Sequence, residues 1–190
     1  TGAGPAVPLP KGAITRVGNA SWLGDSKRIV FSAQAGRSTL RGYVQEIPTG
    51  VPRAFTPDGV ALAGRAAARS DDAILGRVGP NWRLFSLAGG EGAPVSGLAP
   101  RDIPLQWSSD GRYVYTVPAL DFARGRSPAL DVFRVEPATG QRSLWEVLSP
   151  TDPVGVETLP ANAVMTPDGR AYCYSSMRRL GDLFVAKGLR

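Results

Sequence analysis

The chain has 190 residues and a mass of 20.0 kDa, which is long enough for one domain with a sizeable hydrophobic core. A hydrophobic share of 43%, with 23 glycines and 17 prolines, indicates a globular, turn-rich protein and excludes a disordered or coiled-coil chain. Histidine is absent, which excludes Ser-His-Asp and Cys-His catalysis and histidine-ligated zinc.

The charge balance is basic, with 22 Lys and Arg against 16 Asp and Glu and a formal net charge of +6. Positive charge suggests an anionic partner, but the arginines are spread from Arg16 to Arg190 without a run. A nucleic-acid surface needs clustered basic residues with interleaved aromatics. The sequence therefore predicts no nucleic-acid partner.

Short runs of alternating polar and apolar residues, rich in β-branched and aromatic side chains, predict β-strands along the chain. Gly, Pro, Asp and Thr clusters separate the runs and suit turns. The best helical candidate, residues 60–68, has too few polar positions at helical spacing to be amphipathic. The fold class predicted is all-β, with strands at residues 28–32, 40–44, 82–85, 112–117, 131–135, 170–174 and 182–185.

Two turn motifs recur in a fixed phase. Thr-Gly or Gly-Gly pairs end at glycines 2, 50, 90 and 140, at intervals of 48, 40 and 50 residues. A turn containing Asp follows each glycine after 23, 22, 20 and 28 residues, at Asp25, Asp72, Asp110 and Asp168. Another copy, Phe-Thr-Pro-Asp-Gly at residues 55–59, falls outside the phase and is interpreted as a loop.

A period of 40 to 50 residues with about four short strands is typical of a β-propeller blade. In such a blade the Asp turn links the first and second strands, and the Thr-Gly turn links the third and fourth. The alternative is a β-sandwich, whose turns recur about every 8–12 residues without this longer phase. The phase favours a propeller of about four blade units of four-stranded antiparallel sheets.

The whole chain, residues 1–190, is interpreted as one propeller region. Residues 1–10 form the fourth strand of a preceding or closing blade, and the units span 13–56, 60–98, 101–148 and, incompletely, 160–190. Because the chain starts inside a Thr-Gly turn, we expect part of a larger propeller. The alternative is a four-blade ring closed by the first segment.

Two Asp-Gly units, Leu105–Tyr115 and Val164–Tyr172, resemble the TolB-like, PD40-type WD40 propeller repeats. Asp72 departs from that pattern, because Ala73 follows it where a glycine is usual. The ending, Tyr172–Leu189, resembles the last blade of the propellers that follow the kinase domain in bacterial eukaryotic-type serine/threonine protein kinases. This resemblance implies a sensor or protein-interaction module, located outside the cytoplasm or in the periplasm if the parent is a membrane-anchored kinase.

The sequence predicts no enzyme, cofactor or metal site. It lacks the Gly-rich loop, His-Arg-Asp and Asp-Phe-Gly of a kinase, a Gly-x-Ser-x-Gly nucleophile motif and an Asp-x-Asp-x-Asp-Gly calcium loop. The four repeated Asp residues are expected to accept backbone N–H bonds in their turns. The alternatives are a propeller hydrolase or lactonase that uses channel carboxylates, and the propeller of a prolyl-oligopeptidase-type peptidase.

The long segment 118–128 is the candidate binding loop, because a blade needs only a tight turn there. We expect its side chains to recognise a protein or a small-molecule ligand. No apolar run approaches the length of a membrane span. The candidate partner-binding residues are Asp121, Phe122, Arg124 and Arg126.

Five further side chains are assigned to the core. Trp22 and Trp107 precede Asp turns and are expected between blades. Trp82 and Trp145 are also expected in the core, with partial exposure at a strand edge as the alternative. Cys173 is the only cysteine and is predicted to be a small buried hydrophobe.

Overall fold

The computed structural model describes residues 6–64, 70, 72–119, 129–158, 163–179 and 181. No α-helix occurs in these residues, and none of their elements could cross a membrane as a long apolar helix. The strands are β1 (Ile14–Trp22), β2 (Arg28–Ala35), β3 (Arg41–Glu46), β4 (Arg53–Ala54), β5 (Val60–Leu62), β6 (Ala73–Val78), β7 (Asn81–Ser86), β8 (Ala93–Pro94), β9 (Asp102–Trp107), β10 (Val114–Pro118), β11 (Leu130–Glu136), β12 (Gln141–Leu148), β13 (Val156–Thr158), β14 (Val164–Met165), β15 (Tyr172–Cys173) and β16 (Met177–Arg178).

Twelve of these strands form three four-stranded sheets in simple chain order: β1 to β4, β5 to β8 and β9 to β12. Neighbouring strands are antiparallel, as in the pairs Phe31 with Tyr43 and Val114 with Val135. β14 pairs with β15 and β13 with β16, each in a two-stranded sheet. The predicted strand at 182–185 lies outside the described residues.

The three sheets pack face to face, and alternate side chains of one strand enter two different cores. Ile74 contributes to the core shared by the first and second sheets, and the next residue, Leu75, to the core shared by the second and third. In the third sheet, Val114 contributes to the core shared with the second sheet, and the next residue, Tyr115, to the core shared with the fourth unit. Sheets covered on both faces by similar sheets are the blades of a β-propeller, which confirms the predicted fold class.

The predicted positions of three of the four Asp turns are confirmed. The Asp turns at Asp25, Asp110 and Asp168 join β1 to β2, β9 to β10 and β14 to β15. The Thr-Gly turn at Gly140 joins β11 to β12, the third and fourth strands of its sheet. Residues 55–59, the copy out of phase, form the link between β4 and β5.

Three Asp turns share one backbone geometry. The residue after the Asp has a positive φ of 65° at Gly111, 69° at Gly169 and 55° at Ser26. Glycine adopts this conformation without steric cost, whereas Ser26 holds it against an unfavourable Cβ contact. The repeat is therefore maintained by hydrogen bonding even where the glycine is missing.

Two burial predictions are wrong. Trp22 is 58% exposed, because it lies on the face of the first sheet that points away from the second sheet. Its counterpart Trp107 is 2% exposed, as predicted, and packs with Leu75 of the second sheet. Cys173 is also exposed, because its side chain lies on a two-stranded sheet that no described four-stranded sheet covers on that side.

The other two tryptophans follow the prediction more closely. Trp82 is 6% exposed and belongs to the core between the second and third sheets. Trp145 is half-buried, with its ring centroid 5.0 Å from that of Tyr115 in an edge-to-face contact. It packs against the core that joins the third sheet to the fourth unit.

Candidate binding pocket

An open cavity of about 320 Å³ lies where the second and third sheets meet. The start of β9 and the end of β10 form one wall, since Asp102 pairs with Pro118 in the sheet. The ends of β5 and β6 and the start of β7 form the other wall. The lining includes Asn19, Leu62, Arg77, Trp82, Arg101 and Ile103.

The link between β8 and β9 is held in place beside the cavity by side chains from both sheets. The Trp82 indole N–H donates to the Ala99 carbonyl at 2.9 Å, and Nη1 of Arg77 donates to the Pro100 carbonyl at 2.8 Å. The Ala99 N–H donates to Oδ2 of Asp102 at 2.8 Å. These bonds satisfy backbone polar groups of the link and fix the position of Arg101 at the rim of the cavity.

The carboxylate of Asp102 is 5% exposed and forms an ion pair with Arg142 of β12. The Arg142 guanidinium also lies 4.2 Å from the Phe133 ring centroid. A buried carboxylate that accepts a guanidinium and a backbone N–H is fully partnered. Asp102 therefore supports the wall of the cavity through its bonds to Arg142 and to the Ala99 N–H.

Two arginines give the cavity a positive charge. The Arg77 guanidinium lies 5.8 Å from the Trp82 ring centroid, and the Arg101 side chain is exposed to solvent. Asp102 is the sole carboxylate among the lining residues that the structure describes, and Arg142 neutralises it. A cavity of this kind attracts anions and offers guanidinium N–H donors.

The Asp turns show what the repeated carboxylates do. Asp25 accepts the backbone N–H groups of Lys27 and Arg28 at 2.9 and 3.0 Å, and the bond from Lys27 contributes most to lowering its pKa. Asp110 accepts the Arg112 N–H at 2.9 Å, and the Ser108 hydroxyl is the main cause of its lowered pKa. Both carboxylates therefore accept backbone N–H bonds in their turns, as the sequence predicts.

Asp168 forms the same turn in the fourth unit. It accepts the Arg170 N–H at 3.0 Å, and its pKa is lowered chiefly by the Thr166 hydroxyl. Thr166 in turn accepts the Ala171 N–H at 3.1 Å. Ser108 occupies the equivalent position in the third sheet and accepts the Tyr113 N–H at 2.9 Å.

The prediction for Asp72 is wrong in detail. Asp72 accepts the N–H of Leu87 at 3.0 Å and bonds to the Ser86 hydroxyl, which are groups at the far end of β7. The turn position is taken by Ser70, whose hydroxyl accepts the Ala73 N–H at 3.1 Å. Ser70 lies 20 residues after Gly50, the same interval that separates Gly90 from Asp110. A search that allowed Ser in place of Asp would have found it.

The predicted partner-binding residues Asp121, Phe122, Arg124 and Arg126 lie outside the described residues. Ala119, just before them, lines the cavity, and its N–H donates to the Arg101 carbonyl at 2.9 Å. Within the described part of the chain, no group of three or more Asp, Glu or Cys could hold a metal ion.

Sequence reasoning missed Arg77 and Arg101 as pocket residues. Arg77 reads as an ordinary polar position of a strand, and Arg101 as one residue of a proline-containing link. Trp82 was predicted to lie in the core, which its 6% exposure confirms, and its indole also borders the cavity. The phase of the repeat is the one signal that could have found the two arginines. It places Arg101 in the link that joins the last strand of the second sheet, β8, to the first strand of the third, β9.

Comparisons with known proteins identify the fold. The TolB of Acinetobacter baumannii aligns with a TM-score of 0.53 and 16% identity over 87% of this chain and 44% of its own. A putative TolB from Agrobacterium tumefaciens aligns with a TM-score of 0.58 and 14% identity, and covers 90% of this chain. The chain spans 58% of the length of the Agrobacterium protein.

A prolyl endopeptidase also aligns, with a TM-score of 0.47 and 14% identity over 87% of this chain and 27% of its own, a likeness too weak to bear on function. No protein-family model and no curated protein matches the sequence. The chain therefore has a TolB-like β-propeller fold, as its repeats predicted, and forms part of a propeller.

Proposed function

We propose that this chain is a non-enzymatic interaction or sensor module, and that the cavity between its second and third sheets is its ligand-binding site. The proposal is supported chiefly by one observation: two arginines and an indole edge border a cavity whose only described carboxylate is already paired. Concave sites of about 300–1,000 Å³ with a few convergent polar groups are typical ligand sites.

The engaged state of the carboxylates favours binding over catalysis. An acid and base pair needs two groups with separated pKa values that face a substrate. Asp25, Asp110 and Asp168 each have a lowered pKa and accept backbone N–H bonds within their turns. None of these three lines the cavity.

A fragment screen by two-dimensional ¹H–¹⁵N NMR tests the binding function. We expect ligands to shift the Trp82 indole resonance, because that indole borders the cavity, while the Trp22 indole serves as an internal reference on another face. Ala119→Trp should fill the cavity and abolish these shifts without loss of the folded spectrum. Fragments that bind only elsewhere, or equally well to Ala119→Trp, would refute the proposal.

The loop residues remain part of the proposal. Asp121, Phe122, Arg124 and Arg126 follow a residue that lines the cavity, so we infer that they extend the recognition surface. Replacing all four by Ala should weaken binding of any partner found for the module. An unchanged affinity would remove the loop from the proposal.

We also propose that the module belongs to a bacterial signalling protein such as a serine/threonine kinase. This rests on the sequence likeness of residues 172–189, half of which lie outside the described residues. The complete open reading frame tests it. A kinase domain and a membrane span encoded upstream would support the proposal, and a hydrolase domain would contradict it and favour a peptidase.

A further inference from the structure

We infer that the cavity binds a ligand with one carboxylate and a short apolar body, either as a free acid or as the C-terminal carboxylate of a peptide. This inference rests on the proposed function, since it assigns a ligand class to the same site. It depends on three features of the described residues: the free donors of the arginines, the engagement of the backbone amides and the apolar walls.

The two guanidinium groups are the charged hydrogen-bond donors among the described lining residues. Among the described residues, Arg101 has no hydrogen bond or ion pair from its side chain, which is exposed at the rim. Nη1 of Arg77 donates to the Pro100 carbonyl, and the same guanidinium has further N–H donors. Nearby guanidinium groups that lack a carboxylate partner favour an anionic ligand.

The backbone argues against a phosphate. Phosphate sites usually present several free N–H groups in a loop or at a helix N-terminus. Here the N–H groups of Ala63, Asp102 and Ala119 donate to the carbonyls of other residues at 2.9 to 3.1 Å. The Leu62 N–H donates to the Ser32 hydroxyl at 2.9 Å. A singly charged carboxylate needs fewer donors than a phosphate, and the guanidinium groups of Arg77 and Arg101 can supply them.

The walls favour an apolar ligand body. Leu62 is buried, Ile103 is 37% exposed, and the edge of the buried Trp82 ring borders the same space. A volume of about 320 Å³ lies near the lower end of the range for small-ligand sites. It suits a short hydrocarbon or a single aromatic ring next to the charged group.

Isothermal titration calorimetry with matched probes tests the ligand class. The probes are 3-phenylpropionate, its neutral amide, phenyl phosphate, and an acetyl-Gly-Phe dipeptide with a free or amidated C-terminus. We expect 3-phenylpropionate to bind about tenfold or more tightly than its amide, because charge-assisted bonds to arginine are lost. The dipeptide arm separates the two sources: binding of its free acid indicates a peptide C-terminus, and binding of 3-phenylpropionate alone indicates a free acid.

Arg101→Glu and Arg37→Glu form the matched pair of variants. Both residues are exposed and both substitutions change the net charge equally, but only Arg101 lines the cavity. Arg101→Glu should weaken carboxylate binding at least about tenfold, and Arg37→Glu should leave it nearly unchanged. An equal effect of the two variants would overturn the inference.

The remaining outcomes separate this inference from the proposed function. Binding of the amide as tightly as the acid, or of phenyl phosphate more tightly than the acid, would overturn the ligand class and leave the cavity a binding site. If no probe or fragment shifts the Trp82 indole, both the ligand class and the binding site are wrong.

Discussion

Gly97 lies where the link that leaves the second sheet touches the third sheet. Its φ is +83°, and a Cβ built there would lie 2.7 Å from the Gly140 carbonyl oxygen and 2.7 Å from Cγ1 of Val135. Both groups belong to the β11–β12 hairpin, and one of them is backbone that cannot rotate away. Gly97→Ala therefore perturbs the contact between two blades by a single carbon atom.

The expected cost has two parts. An alanine with a left-handed φ costs about 1–2 kcal/mol, and overpacking of a close contact adds about 1–3 kcal/mol. The sum predicts a loss of about 2–5 kcal/mol in the free energy of unfolding. Gly36→Ala is the control, because Gly36 has a φ of +60° and no atom within 4 Å of the built Cβ. The control should lose only the cost of the left-handed φ, about 1–2 kcal/mol in the free energy of unfolding.

Urea unfolding followed by far-ultraviolet circular dichroism measures both variants. We expect Gly97→Ala to have a clearly lower midpoint than Gly36→Ala, with an unchanged slope in both. Equal midpoints would mean that residue 97 does not touch the third sheet. That result would refute the packing described for these two blades.

Two further predictions concern the Asp turns. Asp25, Asp110 and Asp168 have folded-state pKa values below the ordinary 3.8. Their contribution to stability is therefore present above the unfolded pKa and is lost as pH falls through the folded values. The free energy of unfolding should decline below about pH 4, and it should decline less steeply in the variant with all three replaced by Asn. Ser70→Ala removes the acceptor for the Ala73 N–H and should lower the free energy of unfolding in urea by about 0.5–1.5 kcal/mol. Ser70→Asp, which introduces the residue found at the equivalent turns, should cause no such loss. Equal losses in both variants would contradict the assignment of Ser70 to the turn position.

Much of the fold could be predicted, because its markers are local. Positive φ angles and side-chain bonds to nearby N–H groups fix the turns at Asp110 and Asp168, and both leave a clear residue pattern. Strand pairing then follows from short connections between consecutive runs. The turn at Ser70 was misplaced because a serine hydroxyl performs there the task that Asp performs elsewhere.

Exposure and the pocket could not be predicted, because they depend on contacts between distant segments. Trp22 and Trp107 precede similar turns, and their exposure differs according to whether another sheet covers them. Arg77 lines the pocket beside the Pro100 carbonyl that it bonds, 23 positions further along the chain. No local pattern encodes either relation.

Blade packing is tested most directly by the solvent exposure of those two tryptophans, which occupy equivalent places in the first and third sheets. In protein labelled with 5-fluorotryptophan, the ¹⁹F shift between H₂O and D₂O reports exposure of each indole, and single Trp→Phe variants assign the signals. Trp107, at 2% exposure against the second sheet, should show almost no solvent shift, and Trp22, at 58%, a large one. A Trp107 shift as large as that of Trp22 would contradict the stacked-blade fold.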